Sequence, residues 1–217
     1  MSRTRPDLFD AWRGLAGVGV ESVAVGAELI ARWAEPHRRY HTLDHLRATL
    51  LAVDDIAEAA ADIASVRYAV WFHDAVYQGE PGADEERSAR LAELLLPRCG
   101  LTRARSEEVA RLVRATAEHT PEPGDSDAEV LCDADLAVLA GAPHEYESYR
   151  TAVREEYHQV AEADFRAARS RMLRALLDAP TLYRTPPAQE RWEEAARANV
   201  EAEVALLDAD APYLAAP

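Results

Sequence analysis

Four short islands of this sequence hold residue types that can do chemistry. The first is Arg38-Arg39-Tyr40-His41-Thr42-Leu43-Asp44-His45. His41 and His45 are four apart, so a helix puts both on one face. In the second, Trp71-Phe72-His73-Asp74, an apolar run delivers a histidine and an aspartate side by side near a helix end. The third is His119, just before the breaker Thr120-Pro121-Glu122-Pro123-Gly124. The fourth is Leu131-Cys132-Asp133-Ala134-Asp135-Leu136, two carboxylates in an otherwise apolar helix. Taken singly, a histidine pair, a helix-end His-Asp or a lone histidine is ordinary. Buried carboxylates are not, because they need donors, cations or a metal. Together, imidazoles and carboxylates suit a borderline divalent ion, Mn, Fe, Co, Ni or Zn, better than Ca, with Mg still open. Such an ion, held with an open position, acidifies water and provides a nucleophile at neutral pH.

The elements that must carry these islands read as helices. Apolar residues recur at a period near 3.6, and alternation is scarce. Helices are predicted over about 7–16, 21–34, 42–59, 62–77, 83–96, 103–119, 129–140, 144–178 with a break near 160, and 188–208. The fold class is therefore all-α, with nine or ten helices in one domain over 1–217. No Lys occurs, so all 24 cations are Arg, set against 39 Asp and Glu for a net charge of −15. So acidic a surface repels phosphate backbones, which argues against a nucleic-acid polymer or an anionic membrane as partner. It leaves room for a small phosphorylated molecule held by a metal and a few arginines. Cys99 and Cys132 form no framework of pairs, so a reducing cytoplasm is expected. The stretch from Leu15 to Trp33 carries Glu21, Glu28 and Arg32, so it is no membrane span, and the first residues lead into no signal-type apolar run.

The order His … His-Asp … Asp resembles the HD superfamily of metal-dependent phosphohydrolases. The likeness extends through Arg38-x-Tyr40-His41 and His45, Trp71 to Tyr77, Glu85 to Ala89, Thr116 to His119, Asp133 to Leu136, Arg154-x-Glu156-Tyr157 and Ala196-Arg197-x-Asn199. This ordered set looks like the bacterial predicted HD phosphohydrolases of largely unassigned substrate. It covers about residues 30–205, the expected core of an HD-type helical domain. Asp84 stands where that family often has Asn, which weakens any carry-over of a substrate contact there.

The resemblance, and a similar run in cyclic nucleotide phosphodiesterases, implies roles for particular residues. His45, His73, Asp74 and Asp135 become the metal ligands, with Asp74 also essential to catalysis. His41, one turn away, becomes the general acid for the leaving group. Asp133 and Glu85 would orient these groups from behind. Arg38, His119, Arg154 and Tyr157 would meet the substrate, the arginines at its phosphate oxygens. Arg169 and Asn199 are expected to brace helix packing. The implied activity is hydrolysis of a small phosphate ester, a nucleotide or related phosphomonoester, by water activated on a divalent transition metal. Two other readings are an HD-type di-iron oxygenase and a metal-containing nucleotide-binding or sensory protein with little turnover. The first is short of histidine ligands, since from Ala75 to Ala134 the chain has one histidine only, His119. Homodimerisation stays open.

Overall fold

The computed structural model describes residues 7–209. Among them there are ten α-helices and no strand, as the periodicity implies. Within the chain, contacts cluster into two compact units, Met1–Asp135 and Leu136–Pro217. No helix among the described residues is long and apolar enough to cross a membrane.

The first unit holds α1 (Leu8–Ala16), α2 (Val20–Trp33), α3 (Leu43–Asp55), α4 (Ile63–Phe72), α5 (Ala83–Leu95), α6 (Arg103–Ala115) and α7 (Ser126–Asp135). Its hub is α4. Val66 and the run from Tyr68 to Phe72 are all buried, and a stretch of five consecutive apolar or aromatic helical residues must be covered on every side. Helices α1, α3, α5, α6 and α7 all pack on it. Asp62 caps its start, accepting from the Ala64 and Ser65 N–H groups at 3.1 and 3.2 Å, and is itself held by Arg105 at 2.9 Å. Thr42 and Thr102 cap α3 and α6 in the same way, each satisfying a backbone donor that a helix start leaves open. Tryptophans tie the neighbours together. The Trp12 indole donates to Ser22 O at 2.7 Å and lies so close to α2 that a Cβ on Gly26 would fall 2.3 Å from its ring. Trp33, at the end of α2, donates to Trp71 O on α4 at 3.0 Å.

Four helices stop short of the lengths expected from periodicity; α3 ends at Asp55 rather than 59 and α7 at Asp135 rather than 140, each followed by a 3-10 turn. α4 ends at Phe72 rather than near 77: the Ala75 N–H turns to the Phe72 carbonyl at 3.0 Å, and the Val76 and Gln78 N–H groups donate to Ser88 Oγ and Asp84 at 3.0 and 2.7 Å instead of to carbonyls four residues back. α6 ends at Ala115 rather than 119. The Thr116 hydroxyl takes the Val113 carbonyl, and the chain turns to a left-handed His119 with φ 50°.

The second unit begins with a 3-10 turn at Leu136–Ala140, where an α-helix to 140 was expected. It continues with α8 (Pro143–Glu156), α9 (Glu162–Asp178) and α10 (Pro186–Asp208). A buried ion pair joins α9 to α10. Arg169 Nε and Nη2 donate to the two Glu203 oxygens at 2.8 and 3.2 Å, and the Tyr146 hydroxyl of α8 donates to the same carboxylate. Asn199 donates to the Leu139 and Gly141 carbonyls at 2.8 and 2.9 Å. Arg169 and Asn199 thus brace packing, as expected of them.

Candidate metal centre

Three helix ends of the first unit bring the site together. His45 lies in the first turn of α3, four residues after His41 in the preceding loop. His73 caps the C-terminus of α4 and Asp74 follows it. Asp135 is the last residue of α7. The capped start of α3 fixes the first, and the buried hub fixes the second.

His45, His73 and Asp135 form a group that could hold a metal ion, each with a ligand atom within 4.8 Å of the others. His45 Nε2 lies 3.3 Å from His73 Nε2 and 2.9 Å from Asp135 Oδ1, and His73 Nε2 lies 3.4 Å from that oxygen. Donors about 2.1 Å from one tetrahedral ion stand about 3.4 Å apart, so the three edges fit a shared ion. The tautomer fits as well. His73 Nδ1–H donates to Val70 O at 2.9 Å, so Nε2 is the nitrogen that faces the group and would bind an ion once its own proton is displaced. The chemistry of the donors, two nitrogens and a carboxylate oxygen, accords with a divalent ion.

Asp74 borders this group without joining it. Its Oδ2 is 3.1 Å from His73 Nε2 and 3.9 Å from His45 Nε2. The same oxygen is 3.9 Å from His41 Nε2. His41 stacks on the Tyr77 ring, with centroids 4.3 Å apart and planes at 28°, and Tyr40 lies edge-on to it. Its side chain is 21 % exposed where that of His73 is 1 % exposed, so His41 stands at the mouth of the cluster. Tyr77 had no role assigned from sequence; an aromatic three residues beyond Asp74 was the available signal.

Charge is shared across the cluster. Burial pulls the His73 imidazole down, but the Asp74 and Asp135 charges outweigh it and hold its pKa well above the usual histidine value. His45 ends below that value, because burial outweighs its contact with Asp135. Burial opposes ionisation of both aspartates, yet the His73 charge and the imidazole hydrogen bonds hold both far below the ordinary carboxylate range. The shifts of His73 and the two aspartates point the same way: the cluster favours positive charge between the two carboxylates, as a bound cation would supply.

The other expected residues are placed differently. His119, expected at the substrate, lies against Asp135, its Nε2 2.8 Å from Oδ2. Arg38, expected at a phosphate, is buried with all five N–H donors engaged by Glu35 and by the His41, Asp74 and Ala75 carbonyls. It is a clamp between two loops, stacked near Trp33 and Tyr77. Glu85 accepts from the Gly82 N–H at 2.5 Å and so caps α5 rather than supporting a ligand. Asp84 and Ser88 of the same island hold the preceding loop. Asp84 accepts from the Gln78 and Glu80 N–H groups, and Ser88 from that of Val76. Arg154 donates to the Tyr157 and Val160 carbonyls and to Glu162, closing the turn after α8, and the Tyr157 ring lies 6.3 Å from Phe165. Asp133 is buried two residues before Asp135, which on a helix turns its side chain roughly 200° away.

Comparison of the chain with family models, with curated proteins and with solved structures gave no match.

Proposed function

We propose that the chain is a metal-dependent phosphohydrolase of the HD type, acting on a small phosphate ester such as a nucleotide. One observation carries this reading. Two imidazole nitrogens and one aspartate oxygen stand at the edge lengths of a single coordination sphere, with an imidazole at its mouth. His45, His73 and Asp135 would hold the ion, one of Mn, Fe, Co, Ni or Zn, and Asp74 lies where it can complete the set or orient water. The chemistry an ion supplies there is acidification of water and neutralisation of charge on phosphoryl oxygens. The chain's own residues do the rest. Asp74 directs the attacking water through its Oδ2. His41, positioned by the Tyr77 ring, gives its Nε2 proton to the leaving oxygen as the P–O bond breaks. Trp33 and Tyr40, packed against the histidines, keep bulk water from their inner side.

Metal analysis of the purified protein, followed by a phosphate-release screen over nucleotides and small phosphomonoesters, tests the proposal. Turnover should require the ion and vanish in Asp74→Ala. His41→Ala should keep the ion but lose about 10²–10⁴-fold in rate. A protein that binds no divalent ion, or an Asp74→Ala variant with full metal-dependent turnover, would overturn it.

A further inference from the structure

His119 is the one non-glycine residue among those described with a positive φ, 50°. That backbone region disfavours residues with a Cβ and leaves glycine untouched. Glycine or asparagine would end the turn after α6 at less cost, so the turn alone does not account for a histidine there. Its side chain does. The Asp135 carboxylate is divided between two sets of neighbours. Oδ1 faces His45 and His73 at 2.9 and 3.4 Å, and Oδ2 faces His119 Nε2 at 2.8 Å. His119 itself stands outside the group of three ligand atoms. Carboxylate rotation about its last torsion is soft, so an aspartate at a helix end needs a second contact to hold one oxygen toward the ion.

The geometry points to His119 as a positioning residue that locks Asp135 so that Oδ1 alone faces the ion, a role bought with a strained backbone. This inference rests on the metal-binding part of the function proposed above. Donation from Nε2–H to Oδ2 prevents the aspartate from turning away or chelating through both oxygens.

The test compares His119→Gly, which suits the backbone but removes the donor, with His119→Gln, whose side-chain amide can donate from a similar distance. Zn²⁺ affinity is read by competition with a chromophoric chelator, Co²⁺ coordination by its visible absorption, and apo stability by thermal unfolding. In His119→Gly the apo protein should melt at or above the wild-type temperature. Its Zn²⁺ affinity should fall about 10- to 100-fold and its Co²⁺ spectrum should change. His119→Gln should stay within about threefold of wild type in affinity. Wild-type affinity in His119→Gly, an equal fall in both variants, or a collapse of apo stability in His119→Gly would overturn the inference while leaving the metal site standing. A wild-type protein that binds neither ion would overturn both.

Discussion

The two units each bury charge, and they do so in opposite ways. In the second unit the Arg169 fork meets both oxygens of Glu203, the Tyr146 hydroxyl adds a further donor, and Tyr149 lies under the guanidinium at 5.0 Å. Donors and acceptors match, and both partners are covalently part of the chain. In the first unit two imidazole nitrogens face each other at 3.3 Å, with aspartate oxygens alongside. Two nitrogen lone pairs at that distance need a proton or a cation between them, and either is exchangeable. The first arrangement suits a permanent brace. The second suits a site whose content changes with the solution.

The sharpest way to break this contrast is to remove one partner from the brace. Glu203→Ala leaves Arg169 buried without its counter-charge and should cost about 3–5 kcal/mol in denaturant unfolding. The double variant Arg169→Met/Glu203→Leu should recover most of that loss. A Glu203→Ala protein as stable as wild type would show that the brace is not closed. Next in size is the response to metal. Divalent ion at a free concentration about a hundred times its Kd should stabilise the wild type by about 2.7 kcal/mol. His73→Ala should show no such gain in the same thermal scan. Third is pH. His73 holds its proton above the usual histidine range, and the ion must displace it, so affinity should rise with pH until that raised pKa is passed. The slope should approach tenfold, about 1.4 kcal/mol, per pH unit for one proton released. Titration calorimetry in buffers of different ionisation heat counts that proton, and a flat profile across neutral pH would refute the assignment. The smallest effect serves as the control. Replacing Arg103 of the exposed Arg103–Glu107 pair, at 2.7 Å, with Ala should shift the denaturant midpoint least of all, and that small shift should fade with salt.

Much of this was legible in the sequence, for identifiable reasons. Periodicity located the helices because most bury one face. It overran at α4 and α6, because what stops them is not periodic: side chains of Ser88 and Asp84 take the N–H groups that would continue α4, and α6 tightens into turns at Thr116 and Ala117. The islands around His45, His73 and Asp135 stood out because such residues are rare among apolar neighbours. The roles of the arginines were not legible, since a guanidinium suits a backbone carbonyl as well as a phosphate. Two signals were nonetheless available. Glu85 three residues after Gly82 is a helix-start pattern, and Arg154 in the last turn of α8 is suited to carbonyl capping. The contact of His119 with Asp135 had no signal, because it depends on one torsion angle.

The grip of α2 and the loop after it on the end of α4 has a dynamic consequence. Trp33 holds the carbonyl of Trp71, and Arg38 holds those of Asp74 and Ala75. The segment bearing His73 therefore cannot fray by itself, as helix tips usually do. Its amide hydrogens should exchange with solvent only in events that also release α2, so that both segments share one opening free energy.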